Sequence, residues 1–219
     1  MSAAAFAALA GLVASGAVTG LDQCAVEHAM PLAGAPASSA PTTLESIVPL
    51  LHAPFHPLGV GVTEIVTLPG QVVFSLLLIL IAARRLRTRG RVEAAVCLTA
   101  AWFVAVAVEF LLRHTLTREP LYRSGVHLVG FNSSWPSGHA LRCALVAAAL
   151  AAAWPRLRIP LGIWLAAVVV LLELAGRHTP TDLVGGLLLA SAAVAGAVAL
   201  EGSGLLRRRA WLRGVRTGT

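Results

Sequence analysis

Six long apolar runs constrain the fold of this chain more than any other feature of its sequence. Each is close to the roughly 20 residues that a helix needs to cross the hydrocarbon core of a bilayer. Hydrophobic residues make up 57% of the 219 positions and charged residues only 12%, which is too little charge to cover a soluble domain. The sequence therefore predicts an all-α polytopic membrane protein with six transmembrane helices. The predicted spans are approximately 3–20, 64–83, 94–112, 138–154, 159–176 and 183–200.

Charge placement gives the predicted orientation. All 17 basic residues are arginine, and the formal net charge is +7. Most arginines lie in three segments, 84–91, 156–158 and 207–216, which follow the second, fourth and sixth runs. The positive-inside rule places these segments in the cytoplasm, so the loops at 113–137 and 177–182 face outward. Arginines set between apolar runs favour a membrane protein over a nucleic-acid-binding one, and we expect no nucleic-acid partner.

Five arginines depart from this pattern, because they lie in or beside the two outward loops. Snorkelling at the membrane interface explains one or two such residues. Charge within a membrane is costly, so a cluster of five favours an anionic ligand at this face. The five are Arg113, Arg118, Arg123, Arg142 and Arg177.

The sequence "PSGH" at 136–139 opens the fourth apolar run. Proline suits the first turn of a helix, and Ser137 and Gly138 then offer backbone N–H groups at the helix start. Such a terminus binds phosphate through these donors and the helix dipole. His139 would lie beside the bound anion. An ordinary turn with an interfacial histidine is the alternative for this motif taken alone.

The second outward loop contains "HTPTD" at 178–182. Thr179 at the cap and Asp182 at the third helical position form a capping-box pattern. His178 precedes Asp182 by four residues, and a carboxylate bonded to one ring nitrogen leaves the other nitrogen as base or nucleophile. Two histidines at two outward helix starts, with arginines around both, indicate a catalytic site for an anionic substrate.

In order, spacing and membrane placement, these motifs resemble the PAP2 superfamily of lipid phosphatases over residues 64–200. The family pattern is a Lys and an Arg-Pro with six residues between them, then Pro-Ser-Gly-His, then a Ser-Arg and a His-x-x-x-Asp with five residues between them. The second part matches completely, and the third matches at its end. The first part is "RHTLTREP" here, and Leu171 and Leu172 occupy the Ser-Arg positions.

The resemblance implies a role for each matching position. His178 would attack phosphorus, Asp182 would orient it, and His139 would protonate the leaving oxygen. The backbone at Ser137 and Gly138 would hold phosphate oxygens. Arginines and backbone donors stabilise phosphoryl charge, so no metal or cofactor is implied. The predicted substrate-binding arginines are Arg113, Arg118, Arg142 and Arg177.

Arg142 lies three residues after His139, so the two share a helix face. Leu172 stands where the family pattern has a phosphate-binding arginine. We expect Arg142 to supply a guanidinium in place of that arginine. The alternative is a purely structural ion pair of Arg142 with Glu109 or Glu173.

The predicted function is a metal-independent phosphatase in the cell membrane. It would hydrolyse a phosphate monoester or diphosphate of a lipid, such as phosphatidic acid, phosphatidylglycerol phosphate or a polyprenyl phosphate, through a phospho-histidine at the outer face. A phosphotransferase of the same fold and a catalytically impaired lipid-binding protein are the alternatives.

His52 and His56 are not expected to form a metal pair, because Pro54 separates them. The predicted parts are 1–63 (first helix and outward loop), 64–200 (PAP2-like catalytic core) and 201–219 (basic cytoplasmic tail).

Overall fold

The computed structural model describes residues 1–30 and 58–203, and most of these residues are helical. A short antiparallel hairpin, β1 (Tyr122–Arg123) and β2 (Val126–His127), lies between the fifth and sixth helices. His52, His56 and the arginines at 207–216 lie outside the described residues. The helices are α1 (Ser2–Ala14), α2 (Thr19–His28), α3 (Leu58–Thr67), α4 (Val72–Thr88), α5 (Val92–Thr115), α6 (Gly138–Ala153), α7 (Arg158–Leu174) and α8 (Pro180–Ser203).

Three helical segments, namely α5, Pro155–Leu174 and α8, are long and apolar enough to cross a membrane. Two bent pairs raise the number to five if each is one span: α1 with α2, bent by 80°, and Gly61–Gly70 with α4, bent by 50°. The remaining predicted span, α6, has 16 residues. It is therefore about 24 Å long, short of the ~30 Å hydrocarbon core. The prediction of a helical membrane protein is confirmed, whereas a count of six spans is not.

The short helix α6 is the centre of the bundle. It packs against α4, α5, α7 and α8, and ten of its 16 residues are buried. Its apolar side chains, among them Leu141, Leu145 and Val146, join a core that includes Ile79 and Trp102. Large exposed apolar side chains lie instead on the surrounding helices, as expected for helices that face lipid.

The sequence predicts one straight helix for the first apolar run. The structure instead has two helices joined by a sharp bend. Gly16 adopts a φ of +73° at the bend, a conformation that glycine adopts without steric cost. A Cβ at this position would also lie 2.6 Å from the carboxyl carbon of Glu119. The bend lets α1 pack along α8 while α2 turns toward β1. The N-terminal segment therefore packs against both the bundle and the loop that precedes α6.

Two consecutive glycines let α8 approach the start of α6 closely. A Cβ at Gly186 would lie 2.5 Å from the carbonyl oxygen of Ser137, and one at Gly185 would lie 2.6 Å from Nε1 of Trp135. The contact is fixed by a hydrogen bond of 2.9 Å from the Ser137 N–H to the Asp182 carbonyl. The "PSGH" and "HTPTD" motifs are thereby brought together.

The arginine-rich connections meet at the other end of the bundle. Arg89 Nη1 donates to the Ala153 carbonyl at 2.8 Å, joining the end of α4 to the end of α6. Arg91 forms an ion pair with Glu201 near the end of α8, at 3.0 Å. Among the described residues, the arginine segments 84–91 and 156–158 therefore lie at one end of the bundle, and the two histidine motifs lie at the opposite end.

We expect Gly186→Ala to destabilise the protein by about 2 kcal/mol, because a methyl group there overlaps backbone rather than a movable side chain. Gly196→Ala is the matched control on the same helix, since nothing lies within 4 Å of its added Cβ. We expect the control to change stability by less than about 1 kcal/mol. Thermal unfolding in detergent measures both, and equal midpoints would contradict the close approach described here.

Candidate functional site

The two motif histidines face each other across the junction of α6 and α8. His139 lies in the first turn of α6, His178 lies just before α8, and their ring centroids are 6.3 Å apart. Ser137 caps α6 by accepting the Ala140 N–H at its Oγ, at 3.3 Å. Capping fixes each helix start, so it also fixes the histidine next to that start.

The start of α8 has the predicted capping box. Asp182 Oδ2 accepts the Thr179 N–H at 3.0 Å, and Thr179 Oγ1 accepts the Asp182 N–H at 3.4 Å. The same Oδ2 lies 3.6 Å from Nδ1 of His178. Nδ1 is buried and has no hydrogen-bond partner among the described residues. The carboxylate therefore faces Nδ1 just beyond hydrogen-bond distance, and such bonds often shorten only when substrate binds.

Asp182 is fully buried and is held by a dense set of donors. Arg118 Nη1 donates to Oδ1 at 2.8 Å, and Ser134 Oγ donates to Oδ2 at 2.7 Å. The other terminal nitrogen of Arg118 binds Asp22 at 2.5 Å. The side chain of Arg118, predicted from the sequence to bind substrate, is 4% exposed and lies between two carboxylates.

Sequence reasoning missed Asp22. It lies in α2 and is completely buried, although it is far from both motifs in the chain. One signal was present in the sequence, since an acidic residue at the end of an apolar run is expensive unless it has a partner. The sequence did not indicate that the partner would be Arg118.

Arg142 also has a carboxylate partner. Its Nη1 donates to Glu109 Oε2 at 2.6 Å, and its Nε donates to the Gly70 carbonyl at 2.5 Å. Of the two structural pairs considered from sequence, the structure therefore contains the one with Glu109. Gly138 packs over this pair, because an added Cβ would overlap Glu109 Oε1. Arg113 binds the same carboxylate at 3.4 Å.

The remaining groups predicted to bind phosphate are Arg177 and the backbone N–H groups at the start of α6. Arg177 is 47% exposed in its side chain and pairs with Glu64 at 3.2 Å. The backbone N–H groups of Gly138 and His139 have no hydrogen-bond partner within residues 1–30 and 58–203, whereas the Ser137 N–H is occupied by Asp182. The donors left for an anion at this helix start are therefore those of Gly138 and His139.

A pocket of about 430 Å³ lies beside the Glu109–Arg142 pair. Val72, Val106 and Phe110 form its apolar wall, and Arg113 and Arg142 lie among its polar lining residues. Neither His139 nor His178 is among the described residues that line it. In the described part of the chain, no group of three or more His, Cys, Asp or Glu side chains is arranged to hold a metal ion.

Residues 113–202 match the family model of the PAP2 superfamily. The match covers both histidine motifs, α6, α7 and nearly all of α8, so this part of the chain is similar to the PAP2 superfamily. The resemblance inferred from the motifs is thereby confirmed, and the family suggests a phosphatase. No curated protein and no solved structure matches the chain significantly. The helices α1 and α2, including Asp22, lie outside the matched region.

We expect Glu109→Gln to destabilise the protein by about 3 kcal/mol, because it leaves a buried guanidinium without its charged partner. Glu201→Gln removes the same charge from the partly exposed pair with Arg91 and should cost less than about 1 kcal/mol. Thermal unfolding of the two variants side by side tests this difference. A Glu109→Gln protein as stable as the Glu201→Gln control would show that the buried pair is not important for the fold.

Proposed function

We propose that the protein is a metal-independent phosphatase that hydrolyses a phosphate monoester or diphosphate of a membrane lipid through a phospho-histidine on His178. The observation that carries this proposal is the opposed pair of histidines, with ring centroids 6.3 Å apart and Asp182 behind one of them. This arrangement provides a nucleophile, its orienting carboxylate and a separate acid, which is the set that covalent phosphoryl transfer requires.

In the proposed reaction, Nε2 of His178 attacks phosphorus, because Nδ1 faces Asp182. The P–N bond forms as the P–O bond to the lipid breaks, and His139 gives its proton to the leaving oxygen. Water then attacks phosphorus, His139 takes a proton from that water, and the P–N bond breaks to release inorganic phosphate. Both histidines return to their starting states, so the cycle is balanced without a redox partner.

Phosphate charge would be stabilised by the start of α6 and by nearby arginines. The N–H groups of Gly138 and His139 are the available backbone donors, and helix starts bind phosphate in this way. We assign Arg113, Arg142 and Arg177 to the approach and binding of phosphate. We assign Arg118 to holding Asp182, since both of its terminal nitrogens donate to carboxylates.

A lipid is the substrate class that best fits the surroundings. The pocket beside Arg142 combines an apolar wall with guanidinium groups, which suits a molecule with acyl chains next to phosphate. The site also lies at the ends of helices that are apolar enough to cross a membrane. These features support a lipid substrate and do not distinguish between phosphatidic acid, phosphatidylglycerol phosphate and polyprenyl phosphates.

One observation favours the second candidate function, a lipid-binding protein with impaired turnover. Leu172, at the position of the missing family arginine, is 2% exposed within an apolar cluster. Arg118 and Arg142 are each paired with a carboxylate. A site with fewer available guanidinium groups would stabilise phosphoryl charge less. The activity measurement below decides between the two candidates.

We expect purified protein in EDTA to release phosphate from at least one lipid of a panel containing the three classes named above. His178→Ala should lower the rate by several orders of magnitude, because it removes the nucleophile. His28→Ala is the matched control, as this histidine is exposed at the end of α2. An added acceptor alcohol tests for transfer. Activity lost in EDTA and restored by zinc would contradict the metal-independent mechanism.

We expect the histidine end of the bundle to face outward. In a Cys24→Ser background, which removes the exposed cysteine, Val126→Cys should react with an impermeant thiol reagent in intact cells. Thr88→Cys should react only after permeabilisation. Both positions are exposed in the structure, so the reverse labelling pattern would show that the orientation is inverted.

A further inference from the structure

We propose that Asp22 is a positioning residue for phosphoryl transfer, acting through Arg118 and Thr181 on Asp182 and so on His178. The inference rests on the proposed phosphatase function. Asp22 lies outside the region that matches the PAP2 superfamily, so the proposal extends the site to the N-terminal helices.

The side chain of Asp22 contacts the "HTPTD" segment directly, at Thr181, and through Arg118, which binds Asp182. Its Oδ2 accepts from Arg118 Nη2 and from Thr181 Oγ1, both at 2.5 Å. Its Oδ1 accepts the Thr181 N–H at 3.2 Å. Arg118 binds Asp182 directly, and Thr181 precedes Asp182 in the chain. Asp22 therefore holds two neighbours of the Asp182 carboxylate: Arg118, which binds it, and Thr181, which precedes it in the chain.

The charges explain why a second carboxylate is needed. Arg118 is almost fully buried and presents two terminal nitrogens. With Asp182 as its only partner, a guanidinium favours a bidentate pair that occupies both carboxylate oxygens. Asp22 takes one nitrogen, so Arg118 binds Asp182 only through Oδ1. Oδ2, which accepts from Ser134 Oγ and the Thr179 N–H, is then the oxygen that faces His178 Nδ1.

The helix that carries Asp22 is fixed at the site by specific contacts. Gln23, the next residue, donates from Nε2 to the Tyr122 carbonyl at 2.7 Å and accepts the Tyr122 N–H at 3.0 Å. These paired bonds attach α2 to β1, which follows Arg118 by four residues. The bend at Gly16 directs α2 to this place. The position of Asp22 is therefore determined from both sides.

The first test compares Asp22→Asn with Glu27→Gln. Both substitutions remove one negative charge from α2, and Glu27 is exposed. We expect Asp22→Asn to lower kcat per folded molecule by about tenfold or more while KM stays within about twofold, because Asp22 does not touch substrate. Glu27→Gln should keep both constants near the wild-type values. Folded protein is counted by size exclusion in detergent.

A double-mutant cycle with Arg118→Gln tests the route. If Asp22 acts through Arg118, the Asp22→Asn/Arg118→Gln protein should lose no more kcat than Arg118→Gln alone. If the kcat losses of the two single variants multiply in the double variant, the two residues act independently and the proposal is overturned. A KM that rises with Arg118→Gln would also overturn it, because it would mean that Arg118 binds phosphate directly. If Asp22→Asn does not fold, Thr181→Val removes only the hydroxyl contact, and a kcat equal to wild type would then reject the inference.

The outcomes separate this inference from the function on which it rests. A wild-type protein that releases no phosphate from any lipid of the panel rejects the phosphatase function, and the inference with it. An active wild type with a folded, equally active Asp22→Asn variant rejects the inference alone. A purely structural role would reduce the yield or thermal midpoint of Asp22→Asn without changing kcat per folded molecule.

Discussion

The buried cluster in which Arg118 pairs with both Asp22 and Asp182 is the interaction on which the rest of the site depends. It connects three segments that are far apart in sequence: α2, the loop after α5 and the start of α8. Breaking such a pair leaves an uncompensated charge in a dry interior, at a cost of about 3 kcal/mol or more. Because these contacts include the carboxylate that faces His178, the contacts that join the three segments also hold Asp182 beside that histidine.

A second buried ion pair, Arg142 with Glu109, also joins helices near the start of α6. Arg142 joins Glu109 on α5 to the carbonyl of Gly70, just before α4. The two pairs flank the helix start that carries His139. Each arginine thus joins segments that pack around a short central helix, Arg118 through Asp22 and Asp182 and Arg142 through Glu109.

Local patterns in the sequence were sufficient to predict much of this arrangement. The apolar runs predicted where helices lie, and the capping box at Thr179 was predicted because its hydrogen bonds join residues three apart. The 80° bend between α1 and α2 was not predictable, since Gly16 in an apolar run is equally compatible with a continuous helix. Asp22 and the choice of Glu109 over Glu173 depend on which helices become neighbours, and that information is distributed over the whole chain.

The close approach at Gly186 also determines the depth at which the site lies. Gly186 is six residues into α8, yet it meets Ser137, the residue that caps α6. With a rise of 1.5 Å per residue, the start of α6 is therefore set back by about 9 Å along α8. The start of α6 therefore lies beside the second turn of α8 and is not level with its first residue.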